Sequence, residues 1–158
     1  MEEIYVSEVV SKDLMLINCD EKNKSDILNK LADLCLEKGV ISDKAQFLKD
    51  VYLREEEGET GIGQGVAIPH GKSSAVINTR IAVATLENSI DWESLDNEKV
   101  NTIFLFAVKN TEANTKHIML LQQIAILLAD DEVINSIKNV TSIDALYDLI
   151  TNNSRKEG

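Results

Sequence analysis

The sequence predicts an α/β fold in which helices cover both faces of a central sheet. Residues 80–86 (RIAVATL) and 101–108 (NTIFLFAV) are apolar on successive positions, as strands covered on both faces are. Segments with helical spacing of apolar residues lie before and after these runs. Strands that alternate with helices in this way favour layers of helices packed on a sheet.

The first half of the chain contains the clearest boundaries of helices and strands. A short strand is predicted at 13–18 (DLMLIN), followed by a helix at 24–38 that stops at Gly39, a residue suited to a left-handed cap. Ser42 is predicted to cap a second helix. This helix continues to the charge cluster REEEG, so Arg54 lies in its last turn.

The segments on either side of the two central runs are predicted as one strand and several helices. An extended, buried piece at 66–68 is expected to end at a turn near Pro69 and His70. The helix at 114–129 is apolar almost all round and is therefore expected between other layers. Two shorter helices close the chain, and the last is expected to begin at Thr141.

Length and composition indicate one folded domain. We expect residues 1–158 to form a single unit, with a core at about 6–150 and a loose tail at 151–158. The chain has 44% hydrophobic and 27% charged residues, which is ordinary globular usage. No apolar run approaches the roughly 20 residues that span a bilayer, and the first residues, MEEIYVSEVV, are acidic where a signal peptide is basic. These features predict a cytoplasmic protein.

The charge balance restricts the class of partner. Acidic residues outnumber basic ones 27 to 16, which gives a net charge of −11. A field of this sign repels nucleic acid and anionic lipid, and it attracts a protein with a basic face. The two cysteines, Cys19 and Cys35, are too few and too far apart for a zinc ribbon or a redox pair.

The segment 60–71 (TGIGQGVAIPHG) concentrates glycines around one histidine, and three chemistries could use such a segment. A nucleotide-binding loop fails on spacing, because both glycine fingerprints require a glycine where the chain has Val66. A metal site at His70 and His117, the only histidines, has no third ligand at a diagnostic spacing. The third chemistry is a histidine nucleophile that attacks phosphorus.

Phosphoryl transfer to a histidine requires few catalytic groups. Its transition state is loose, so positioning and positive charge supply most of the catalysis. A histidine with an ordinary pKa near 6.5 is already neutral near pH 7, whereas serine needs a base. We expect His70 to be exposed, with glycines opening the backbone to the anion and Arg54 and Lys72 near its oxygens.

His117 admits two interpretations. Its helical stripe continues into apolar residues, which is typical of a histidine packed over the core. It also lies in the first turn of its helix, where free amides and the helix dipole favour an anion. The residues alone leave both interpretations of His117 open.

Other residues near the motif are given structural roles. The acidic run at 55–57 is interpreted as a solvated helix end and Trp92 as a packing residue.

Two stretches resemble a known family. LREEEGETGIGQGVAIPHGKSSAV is similar to the phosphorylation-site signature of enzyme IIA of the fructose/mannitol type, from the bacterial sugar phosphotransferase system (PTS). TKHIMLLQQIAILLADDE resembles the second histidine helix of that family. The resemblance extends from about residue 6 to residue 150 and implies an α/β sandwich around a mixed sheet.

The resemblance implies a role for three residues. His70 corresponds to the phosphoryl-accepting histidine, Arg54 to the positive residue beside it and His117 to the second active-site histidine. Thr60 and Gln64 are expected to contact the phosphoryl group.

The implied protein is a phosphocarrier that requires neither metal nor other cofactor. Its donor is the phosphohistidine of the carrier protein HPr and its acceptor a cysteine of a IIB protein or domain, with contact to the membrane component IIC only through partners. Fructose is the sugar that the resemblance suggests. Two alternatives remain: a regulatory enzyme IIA of the nitrogen-related branch, and a metal-dependent hydrolase that uses both histidines.

Overall fold

A six-stranded mixed sheet forms the centre of the molecule. The structure, a computed structural model, describes residues 5–112 and 116–153. Its strands are β1 (Met15–Cys19), β2 (Gly61–Gly63), β3 (Val66–Ala67), β4 (His70–Ser73), β5 (Arg80–Ile90) and β6 (Val100–Lys109). The described α-helices are α1 (Val6–Val9), α2 (Lys24–Glu37), α3 (Lys44–Glu57), α4 (Lys116–Leu127), α5 (Asp131–Lys138) and α6 (Ile143–Asn153).

The strand order is β1-β5-β6-β3-β2, with β4 also paired to β6. The long strands β5 and β6 are antiparallel, whereas β1 runs parallel to β5, and β3 and β4 run parallel to β6. The predicted strands at 80–86 and 101–108 are therefore the two central strands, and the mixed sheet is confirmed.

β3 and β4 are two parts of one interrupted strand. Ala67 pairs with Ile103 and His70 with Phe106, so both parts keep the same register along β6. Pro69 lies in the gap between them, where its missing N–H removes no ladder bond, and its carbonyl oxygen accepts the Phe106 N–H at 2.9 Å. The turn expected at His70 is wrong, because the chain re-enters the sheet there.

Helices bury both faces of this sheet, as predicted. One apolar cluster joins α2 and α3 to the first face, and its members include Leu28, Leu31, Phe47 and Val51. The other joins α1, α4, α5 and α6 to the opposite face through Phe104, Phe106, Leu120 and Ile124. Among the described residues, no helix combines the length and the apolar character that crossing a bilayer requires.

Three predictions about helices require correction. α3 is capped by Asp43, whose side chain accepts the Gln46 N–H, and not by Ser42. α6 begins at Ile143, and the Ser142 hydroxyl accepts the Ala145 N–H, so Thr141 is not the cap.

The third correction concerns α4. This helix is not enclosed between layers, because Ile118 is 53% exposed and Ile126 is 68% exposed. Its start at Lys116 follows residues 113–115, so the predicted boundary at 114 lies outside the described residues.

Candidate functional site

His70 occupies the first position of β4 and faces α4. Side chains alternate along residues 66–71: Val66 and Ile68 join the α4-side cluster, whereas Ala67 joins the α3-side cluster. His70 follows Ile68 in this alternation and packs against Phe106 and His117, with ring centroids 5.2 Å and 4.8 Å away. Only 6% of His70 is exposed, so the exposed imidazole predicted from the sequence is wrong.

The surroundings of His70 favour its neutral form. Burial, followed by the charges that His117, Arg54 and Lys72 can carry, lowers the pKa of His70 to about 3 from its usual 6.5. The Ile68 carbonyl oxygen acts in the opposite direction and raises this pKa, yet Nδ1 has no hydrogen bond of good geometry among the described residues. The imidazole therefore keeps a free lone pair at neutral pH.

His117 lies edge-on to His70 at the start of α4. The two rings make an angle of 75°. Partial burial, with the positive charges of Lys72 and Arg54, lowers the pKa of His117 as well. The structure thus brings together the two histidines that the sequence separates by 47 positions.

Each of the two imidazoles has one buried nitrogen without a partner. These atoms are Nδ1 of His70 and Nε2 of His117 among the described residues. A buried polar atom left unpaired costs about 1–3 kcal/mol, so native proteins retain such atoms chiefly where function uses them. Two of them on touching rings mark this position as a functional site.

Two cations act on the histidine pair. Arg54 lies in the last turn of α3, and its Nη1 donates a hydrogen bond to the Gly58 carbonyl oxygen at 3.2 Å. Lys72 is exposed and lies two residues after His70 on β4, which places it on the same face of the sheet. Both lower the pKa of His70 and of His117 by their positive charge. An anion at the pair would meet this charge.

The glycines near His70 have roles in packing and in turn geometry. A Cβ on Gly71 would lie 2.4 Å from Phe47 Cε1, and one on Gly61 would lie 2.4 Å from Ser94 Cβ. Gly63 and Gly65 have φ of +105° and +83°. They form the turn between β2 and β3 together with Gln64 at +58°.

The sequence interpretation missed the polar residues behind the site. Glu55 was assigned to a solvated helix end, but 6% of its side chain is exposed and it forms an ion pair with Lys24. The Thr60 hydroxyl donates to Glu55 and accepts from the Trp92 indole N–H, so Trp92 has a polar role as well. The sequence offers one indication of such a network: it has a single tryptophan, whose N–H needs an acceptor when the side chain is buried.

The described residues bring no third metal-binding side chain to the two histidines. No group of three or more His, Cys, Asp and Glu side chains has metal-binding geometry within residues 5–112 and 116–153. Cys19 and Cys35 are buried and free, and burial raises the pKa of the Cys35 thiol to about 12.

Known proteins with similar sequences fall into two groups. The chain is 36% identical over 142 residues to the 2-O-alpha-mannosyl-D-glycerate-specific EIIABC component of the PTS of Escherichia coli K12, covering 89% of this chain and 22% of that protein. It is 28% identical to a nitrogen regulatory protein of Pseudomonas aeruginosa PAO1, covering 93% of this chain and 95% of that protein. The chain thus spans less than a quarter of its transporter relative and nearly all of its regulatory one.

Solved structures show the same fold. The nitrogen regulatory protein IIA-Ntr from Neisseria meningitidis superimposes with a TM-score of 0.84 at 23% identity, over 92% of this chain and 98% of that chain. Enzyme IIA for mannitol from Escherichia coli, in its complex with phosphorylated enzyme IIB, gives a TM-score of 0.77 at 16% identity, over 90% and 96%.

The family comparison covers nearly the whole chain. The model of the EIIA 2 family of the phosphoenolpyruvate-dependent sugar phosphotransferase system matches residues 8–153, which include both histidines and Arg54. The chain therefore belongs to the type-2 enzyme IIA family of this phosphotransferase system.

Proposed function

We propose that this chain is a phosphocarrier in which His70 accepts a phosphoryl group from phospho-HPr and passes it to a cysteine of a IIB protein or domain. The observation that carries this proposal is the contact of two neutral imidazoles, each with a buried nitrogen that has no partner among the described residues. Membership of the family supports phosphoryl transfer in general.

The nucleophile is Nε2 of His70. We place the Ile68 carbonyl oxygen, which raises the pKa of His70, beside the buried Nδ1, so that Nδ1 holds the single proton of the neutral ring and Nε2 carries the lone pair. The lone pair of Nε2 attacks phosphorus, and a new N–P bond forms while the P–N bond to the donor histidine breaks. The second step reverses the roles: a thiolate of IIB forms an S–P bond as the bond from phosphorus to Nε2 breaks.

His117 and Arg54 stabilise the phosphoryl group between the two steps. The arriving oxygens bring negative charge to a place where Lys72 and Arg54 supply positive charge. This charge raises the pKa of His117, so a proton on its Nε2 becomes a hydrogen-bond donor to the group. The Arg54 guanidinium, which donates to the Gly58 carbonyl oxygen, then also donates hydrogen bonds to the phosphoryl oxygens.

We propose that this protein acts in the cytoplasm. Residues 1–158 are proposed to form a single domain with its core at about 6–150. It reaches the membrane component IIC only through IIB. The mannosylglycerate-specific relative supports a sugar transporter as the final destination of the phosphoryl group, and fructose stays the proposed sugar.

A second candidate function is regulation of partner proteins by the phosphorylation state of His70. It is favoured by the similarity to a nitrogen regulatory protein of Pseudomonas aeruginosa PAO1, which extends over 93% of this chain. Both functions label His70. Only the transport function discharges the phosphoprotein to a sugar-specific IIB when sugar is present.

The test is intact-mass analysis after incubation with phosphoenolpyruvate, enzyme I and HPr. Wild type should gain one acid-labile phosphoryl group and His70→Ala none, with the fold of the variant checked by circular dichroism. Labelling of a folded His70→Ala, or no labelling of wild type, would refute the proposal. Addition of IIB and sugar then separates the transport function from the regulatory one.

A further inference from the structure

A buried polar network lies behind the histidine pair and ties the end of α3 to the strand that carries His70. Its charged members are Glu55 and Lys24, which form an ion pair at 2.5 Å. Their side chains are 6% and 20% exposed. Lys24 also pairs with Glu93 at 2.7 Å, and its Nζ lies 4.9 Å from the centre of the Trp92 ring.

Thr60 is the centre of this network. Its hydroxyl donates to Glu55 Oε2 at 2.6 Å and accepts the Trp92 Nε1–H at 2.8 Å. Thr60 is 3% exposed, so water does not replace either bond. One hydroxyl therefore fixes three segments relative to each other: the last turn of α3, the start of β2 and the loop that carries Trp92.

The backbone of Thr60 continues the connection to His70. Its carbonyl oxygen accepts the Ile68 N–H at 2.8 Å, and Ile68 lies two residues before His70. The next residue, Gly61, is held by bonds to Glu93 and Leu95 at 3.0 Å and 2.9 Å. A shift of Thr60 is thus transmitted to the peptide that sets the position of the imidazole.

The same network fixes Arg54 from the other side. Glu55 follows Arg54 in the last turn of α3, and the Arg54 guanidinium bonds to Gly58, two residues before Thr60. The position of the cation and that of the nucleophile therefore depend on the same few bonds.

We expect this network to position the residues around it more than to stabilise the fold. A buried ion pair with its hydrogen bonds is commonly no more stabilising than a packed apolar cluster of the same volume. It does impose directions and distances that apolar packing does not. Phosphoryl transfer depends on positioning, and displacement of reacting groups by about 1 Å lowers rates strongly.

We propose that Glu55 and Thr60 are positioning residues for phosphoryl transfer, which hold Arg54 and the His70 strand in register with each other. This inference rests on the proposed function of His70 as phosphoryl acceptor. Glu55 and Thr60 touch neither the phosphoryl group nor the reacting nitrogen, and they act through the backbone at 58–68.

The experiment compares four variants in single-turnover transfer from phospho-HPr. Glu55→Gln removes the charge, and Thr60→Val removes the hydroxyl at equal volume. Thr60→Ser restores the hydroxyl. Glu56→Gln makes the same charge change at the exposed neighbouring position. All assays are run below the unfolding temperature of each variant, and Glu55→Gln carries the test if Thr60→Val does not fold.

We expect Glu55→Gln and Thr60→Val to lower the maximal transfer rate about tenfold, with the KM for phospho-HPr changed by less than about twofold. Thr60→Ser and Glu56→Gln should transfer at the wild-type rate. Wild-type maximal rates in folded Glu55→Gln and Thr60→Val, or a change in KM alone, would overturn the inference.

A second readout separates this inference from the proposed function. The imidazole NMR signals of His70, recorded without any donor protein, should shift in Glu55→Gln and Thr60→Val and stay in place in Glu56→Gln. Unmoved His70 signals in the first two variants would overturn the positioning role whether or not wild type accepts a phosphoryl group. Failure of wild type to accept one, with His70 signals that shift, would overturn only the assignment of the transfer reaction.

Discussion

At the scale of single residues, the site keeps a nucleophilic imidazole neutral by burying it among groups that carry positive charge. His70 lies between Phe106 and His117, and Arg54 and Lys72 add to the cost of a proton on its ring. The same cations suit a phosphoryl dianion. Under the proposed function, this arrangement suits the lone pair of His70 before transfer and the phosphoryl anion after it.

The depressed pKa of His70 predicts a dependence of stability on pH. The folded pKa of about 3 lies below the unfolded value near 6.5, so the unfolded chain binds more protons between these values. The contribution of His70 to the free energy of unfolding has its full value above about pH 6.5 and is lost as the pH falls toward 3. Relative to His70→Asn, wild type should lose about 1.4 kcal/mol in free energy of unfolding between pH 7.5 and pH 5.5.

Urea unfolding of both proteins at each pH measures this difference. The comparison cancels the contribution of the carboxylates, which both proteins share. A difference between wild type and His70→Asn that does not change with pH would mean that His70 titrates normally in the folded protein.

His117 is expected to act on the phosphorylated state more than on its formation. His117→Ala removes one donor to the phosphoryl oxygens, a loss that commonly costs about 10²-fold or more in rate. We expect slower transfer from phospho-His70 to IIB, with labelling by phospho-HPr retained. Rapid-quench measurement of both steps checks this expectation, with Gln122→Ala, exposed on the same helix, as the control. Unchanged transfer to IIB would leave His117 a packing residue.

At the scale of helices and strands, the contact of α3 with β4 sets the depth of the site. Gly71 lies directly after His70 and faces α3, where its lack of a side chain lets Phe47 and Val51 approach the strand. A Cβ there would lie 2.8 Å from Val51 Cγ2 and closer still to Phe47. The glycine thus permits α3, which carries Arg54 in its last turn, to lie against the strand that begins with His70.

Gly71→Ala should destabilise the protein through overpacking. Inserted methyl groups in a packed interior cost about 1–3 kcal/mol. Urea unfolding should show this loss for Gly71→Ala and almost none for Ser74→Ala, an exposed position in the turn after β4. Equal stability of the two variants would mean that α3 moves away from β4 without cost.

Some elements of the fold could be predicted from the sequence more closely than others. The central strands and the helix at 24–38 were predicted closely, because apolar periodicity and Gly39 are local signals. The N-cap of α3 was misplaced, since Ser42 and Asp43 are both good capping residues and the Ser42 hydroxyl bonds to the Ala75 carbonyl instead. The motif indicated His70, His117 and Arg54 as candidate site residues, and the structure brings the two histidines into contact.

The burial of His70 and the packing role of Gly71 were not found in the same way. Pro69 next to His70 is typical of a turn in sequence, and only the pairing of β4 with β6 shows a strand there. The purpose of Gly71 depends on Phe47, which lies 24 positions earlier. Contacts between distant positions carry no local signal, and the network around Thr60 is hidden for the same reason.

At the scale of the whole molecule, we propose that the net charge of −11 guides the encounter with a donor that has a basic face. Salt screens this attraction, so the association rate constant with phospho-HPr should fall about tenfold between about 20 mM and about 200 mM salt. Stopped-flow measurement over this range checks the expectation, and the rate of transfer within the complex should change much less. An association rate independent of salt would mean that the charge does not guide docking.

The most direct test of the central claim is NMR of the phosphorylated protein with ¹⁵N-labelled histidine, observing the coupling between ³¹P and ring nitrogens. The account predicts one phosphorylated ring, that of His70, with phosphorus coupled to Nε2 and the proton on Nδ1. Coupling to Nδ1 of His70, or to either nitrogen of His117, would contradict it.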